Sequence, residues 1–88
     1  MMYELDGNLI TDCASLHDQL VRCLPLPAYY GRNLDALFDA LTEMGPCVIS
    51  LRGMNRMTEH LNDYAWAFLH TLTDAMHDNP ALEIHLSA

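Results

Sequence analysis

The sequence contains no lysine, and its only arginines are Arg22, Arg32, Arg52 and Arg56. Against these four stand twelve Asp and Glu residues, giving a formal charge of -8 over 88 residues. Neutralising a phosphate backbone takes clustered basic side chains, so direct binding to DNA or RNA is not expected. The same field attracts a cationic partner, although acidity also serves solubility. Cysteine is scarce: Cys13, Cys23 and Cys47 form an odd, widely spaced set. Such spacing fits neither a disulfide framework nor a zinc motif, and reduced, mostly buried thiols are expected. No run approaches the ~20 apolar residues that span a bilayer, which leaves no membrane contact to expect. Residues 1–7 are acidic and carry no basic stretch followed by an apolar run, so a cytoplasmic location is expected rather than secretion.

Hydrophobic residues make up 51% of the chain, enough for a core. One domain covering residues 1–88 is expected. A domain of this size buries only about 60–65% of its unfolded surface, so its stability margin is narrow.

Tyr3 and Leu5 alternate with Glu4 and Asp6, the period of a half-buried strand, and Asp6-Gly7 is a turn signal. Asp12 or Ser15 can cap a first helix with apolar positions Cys13, Leu16, Leu20, Cys23 and Leu24. Pro25 and Pro27 stop it. Tyr29-Tyr30-Gly31-Arg32-Asn33 is a loop, and Asn33 caps a second helix with Leu34, Leu37, Phe38 and Leu41 on its apolar face. Gly45-Pro46 is expected to end that helix. Cys47–Leu51 reads as a central strand, buried on both faces if parallel. From Met57 onward helical spacing returns through Leu61, Tyr64, Phe68, Leu72 and Ala75. A break at Asn62-Asp63 is expected, because in one straight helix Trp66 would lie opposite the apolar stripe. Asn79-Pro80 ends the segment, and Leu82–Leu86 alternates as a last strand. Strands separated by helices imply a small parallel sheet.

The second helix carries the chemical signal. Asp35, Asp39 and Glu43 fall at i, i+4 and i+8, one acidic row on the polar side. Like charges at this spacing cost roughly 0.2–0.5 kcal/mol per pair. Asp35 is offset by the positive end of the helix dipole, and Glu43 is not. No basic residue within the helix relieves the row. An ordinary solvated acidic face would show the same spacing. The loop leading into the helix adds Tyr29 and Tyr30, and tyrosine is enriched at interface hot spots. At least one of the pair is expected to pack beneath the loop.

Leu26-Pro27-Ala28-Tyr29-Tyr30-Gly31-Arg32-Asn33-Leu34-Asp35-Ala36-Leu37-Phe38-Asp39-Ala40-Leu41-Thr42 resembles the signature of the barstar family. The segment around Ser15-Leu16-His17 and Gln19-Leu20 aligns with it, and the resemblance weakens after Thr42. It implies a two-layer α/β fold, with a three-stranded parallel sheet in the order 1-2-3 packed with three to four helices. It also implies inhibition of a small basic ribonuclease in a 1:1 complex, with a monomeric free form and no cofactor. Asp39 would then be the central anion, standing where an RNA phosphate binds. Asp35 would pair with a guanidinium, while Tyr29, Tyr30, Gly31, Asn33, Phe38 and Thr42 surround the site. Asp74 matches a peripheral glutamate of the last helix. The chain departs from the best-known member at Phe38 (tryptophan there), Arg32 (an acid there) and Met44 (an aromatic there).

The remaining polar residues point to no catalyst. His70, Asp74 and His77 share a helix face without a fourth ligand, so no metal site is expected. His17 reads as structural, and no motif sets a nucleophile beside a base. The competing expectation is a binding module of the same fold that engages another basic protein, such as a toxin, without inhibiting a ribonuclease.

Overall fold

A computed structural model describes all residues, 1–88. Met2–Asp6 forms strand β1, followed by a single 3-10 turn at Gly7–Leu9. The turn lies against the start of a later helix: a Cβ added at Gly7 would come within 2.4 Å of the Gly53 carbonyl oxygen, so only glycine fits. Helix α1 spans Cys13–Cys23, and both proposed caps operate at its start. The Asp12 carboxylate accepts from the Ser15 N–H at 2.7 Å, and the Ser15 hydroxyl oxygen accepts from the Asp12 N–H at 3.0 Å. Leu16, Leu20 and Leu24 are buried, whereas Cys13, in the first turn, is exposed. Of the three thiols only Cys47 is buried, so the expectation of mostly buried cysteines fails.

Helix α2 spans Leu34–Thr42, with Asn33 as its cap. It stops before Gly45-Pro46, since Glu43 already serves as the C-cap. Strand β2 (Cys47–Arg52) pairs in parallel with β1 on one side and with β3 (Leu82–Leu86) on the other, in the order 1-2-3. Helices α3 (Met54–Leu61) and α4 (Asp63–Asp78) meet at Asn62, whose positive φ of 52° makes the break. The break is where the sequence put it, but Trp66 does not turn inward because of it. It is 61% exposed, so its position was no guide to the kink.

Leu5, Ile49, Leu51 and Leu82 on one sheet face join Leu16, Leu20, Leu37, Leu41, Met57, Phe68 and Leu72 of the helices in a single buried cluster. β2 alternates instead of being buried throughout: Cys47, Ile49 and Leu51 are buried, Val48 and Ser50 are partly exposed. The physical reason is that two layers give the sheet helix cover on one face only, so the other face keeps a strand's period of two. α2 lies along α4, which places its far side in water.

Candidate partner-binding site

Asn33 organises the start of the site. Its Oδ1 accepts from the Ala36 N–H at 2.8 Å, and its Nδ2 donates to the Gly31 carbonyl at 3.2 Å. One side chain therefore caps the helix and ties the loop to it. With Leu37 and Leu41 buried against the core, Asp35, Asp39 and Glu43 are all exposed. Glu43 sits on the cap rather than inside the helix, as just described, yet it stays in line with Asp39. Asp39 and Glu43 share one hollow of about 360 Å³ with Tyr29, Tyr30, Gly31, Ala36 and Ala40.

None of the chain's arginines neutralises this row. Arg32, the only cation in the adjoining loop, is turned away to α1. Its guanidinium pairs with Asp18 and donates to the Ala14 carbonyl at 3.3 Å. Arg52 lies 3.5 Å from Asp6. Arg32 therefore makes no ion pair with the acidic row.

The two tyrosines divide as expected. Tyr29 is 86% exposed at the rim of the hollow. Tyr30 is half-buried, with its hydroxyl 2.7 Å from Nδ1 of buried His17. The other ring nitrogen of His17 lies 2.9 Å from the Tyr64 hydroxyl. Burial pushes the Tyr30 phenol up to about 12 and raises that of Tyr64. Burial, then the nearby Arg32 charge, holds His17 below the ordinary imidazole value, while Asp18 opposes the shift.

The other sequence candidates lie around this centre. The Thr42 hydroxyl donates to the Asp39 carbonyl at 3.0 Å. Phe38 is half-buried against the core, so only part of its ring faces outward. Asp35 and Asp74 do not line the hollow. Asp35 is exposed in the first turn of α2, and Asp74 is exposed on α4.

Two supports of the site escaped the sequence reading. Asn79 looked like a stop signal, but it is buried, and its Nδ2 donates to the carbonyls of Leu41 at 2.9 Å and Met44 at 3.0 Å. It thus satisfies the C-terminal end of the acidic helix from across the fold. Tyr64 looked like one more position in an apolar stripe, and its hydroxyl instead holds His17. No local signal marks either role, because both partners are remote in sequence.

The family model described as "Barstar (barnase inhibitor)" matches residues 1–86. The chain belongs to the barstar family. A Bacillus subtilis (strain 168) protein named "Putative ribonuclease inhibitor YrdF" is 36% identical over 76 residues, covering 84% of each chain. The parallel 1-2-3 sheet and four helices agree with a barstar-like fold. Barstar-family proteins are inhibitors and not enzymes. No helix of this barstar-family chain is long and apolar enough to cross a membrane.

Proposed function

We propose that this barstar-family protein inhibits a small basic ribonuclease by occupying its active-site cleft with the Asp35, Asp39 and Glu43 carboxylates and the Tyr29-Tyr30 loop. The single observation that carries this reading is an exposed acidic row left unpaired by the chain's own arginines, beside an exposed tyrosine. Such a row costs stability through self-repulsion, which in the free molecule only Asp35 recovers in part, at the positive end of the helix dipole.

A ribonuclease cleft holds cations where the RNA phosphate sits. Carboxylates on a rigid helix present negative charge at fixed spacing without the entropy cost of ordering a flexible segment. Asp39 lies mid-helix, at the edge of the hollow, and takes the central position. Asp35 and Glu43 meet cations on either side of it. Tyr29, with two flexible torsions and a large face, packs over the enzyme's rim. Asp74 adds a peripheral ion pair, and Phe38, Thr42 and Asn33 complete the contact. The complex is 1:1, formed in the cytoplasm from a monomeric inhibitor, and needs no cofactor.

The test is a titration of the protein into a panel of microbial ribonucleases, barnase included, with RNA cleavage as the readout. Stoichiometric loss of cleavage by at least one enzyme is expected. Undiminished cleavage across the panel at excess inhibitor, with tight binding to a basic protein that has no nuclease activity, would establish the alternative binding module instead.

A further inference from the structure

The loop that carries Tyr29, Tyr30 and Gly31 contains no helix or strand, and the Tyr30 N–H donates to the Pro27 carbonyl at 3.0 Å across its turn. Beyond that turn, the Asn33 bond to Gly31 and the Arg32 contacts to α1, the loop is held at Tyr30 from outside. Tyr30 reaches inward to Nδ1 of His17 on α1, and Nε2 of the same ring meets the hydroxyl of Tyr64 on α4. Loop, α1 and α4 converge on one buried imidazole. A neutral imidazole offers one donor and one acceptor nitrogen, while a hydroxyl can fill either role. The three groups are therefore satisfied together when the hydrogen bonds run in one direction along the row. The rings also lie close: His17 to Tyr30 at 5.7 Å between centroids, and His17 to Tyr64 at 6.3 Å. The ionisable neighbours are Asp18 on α1 and Arg32 in the loop beside His17, with Cys13 on α1 beside Tyr64. Neither His17 nor Tyr64 lines the acidic hollow.

We propose that His17 and Tyr64 are positioning residues that set the geometry of the partner-facing loop, Tyr64 acting on Tyr30 through the imidazole. The functional side of this inference rests on the loop being part of the inhibitory surface. Removing the Tyr64 hydroxyl strands one nitrogen of a buried ring. Held then from one side only, the ring is free to turn, and the Tyr30 hydroxyl loses its fixed partner.

The test compares amide hydrogen exchange, followed by NMR on the full free chain, for wild type, His17→Gln and Tyr64→Phe. Replacing a buried histidine can unfold so small a domain, and Tyr64→Phe, which keeps the ring, then decides alone. Exchange of the Tyr30 amide is expected to quicken by about tenfold in Tyr64→Phe, the equivalent of one net hydrogen bond, with the Ile49 and Phe68 amides little changed. Unchanged exchange at Tyr30, or an equal acceleration at Ile49 and Phe68, overturns the inference. For any ribonuclease of the panel that wild type blocks, Tyr64→Phe is expected to dissociate about tenfold faster without touching the enzyme. If wild type blocks none, barnase included, the functional reading falls, and the exchange result still decides what positions the loop.

Discussion

Asp39 stands four residues from Asp35 on one side and four from Glu43 on the other, exposed to both. Replacing it removes repulsion from the free molecule and, in the proposed complex, leaves the enzyme's cations without a counter-charge. Asp39→Ala is therefore expected to weaken binding by about 2–5 kcal/mol, the cost of breaking a desolvated charge pair, measured by calorimetric titration. Its melting temperature should equal or exceed that of wild type. Asn79 is the converse case, a polar residue whose whole contribution is internal. Asn79→Ala removes a buried hydrogen bond from each of the Leu41 and Met44 carbonyls and is expected to cost about 1–3 kcal/mol in urea unfolding. The two asparagines that frame α2 differed in legibility. Asn33 caps the amide three residues ahead, and that spacing is visible in the sequence. Asn79 reaches a carbonyl 38 residues back, and no spacing encodes such a contact.

Among the elements, α1 was the most completely written in local chemistry. Asp12 and Ser15 both had the right residue type at the right offset, and the structure uses both at once. Asp12→Ala is expected to lower unfolding free energy by about 1 kcal/mol, read from the shift in denaturant midpoint. α2 shows the limit of such reading. Gly45-Pro46 is a sound stop signal, but a helix ends where its last carbonyls find other partners: here the Thr42 hydroxyl on Asp39, the Glu43 and Met44 N–H groups on Ala40 and Leu41, and Asn79 on Leu41 as well. The kink between α3 and α4 teaches a similar lesson. Asn62 adopts a positive φ, which asparagine tolerates better than most residues. Inferring the kink from Trp66 assumed that a lone tryptophan must be buried, and apolar residues are common on surfaces.

At the scale of the whole molecule, the charge of -8 sets how a partner is met. Association with a basic enzyme is expected to be fast at low ionic strength, toward about 10⁸ M⁻¹ s⁻¹, and to fall by orders of magnitude as salt is added, with dissociation much less affected. Stopped-flow mixing across a salt series checks this. Acid acts through the interior. His17 is held below the ordinary imidazole value of 6.5, chiefly by burial. Its neutral form therefore favours the folded state above that value. Below 6.5 the unfolded chain takes up a proton that the folded chain refuses, and stability is expected to decline as pH falls through the folded value. In His17→Gln the decline over that interval should flatten, as followed by urea unfolding at successive pH values.

Hydrophobic periodicity, caps and turn residues determined the order of strands and helices, because each of those signals acts within a few residues along the chain. The position of the acidic row, the loop beside it and the family to which both point were legible for the same reason. What covers each face of β2, which cysteine is buried, what ends the acidic helix and what holds Tyr30 were decided only in three dimensions. Each depends on groups far apart in the chain that meet only after the layers have packed, and sequence spacing says nothing about the direction in which a buried side chain finds its partner.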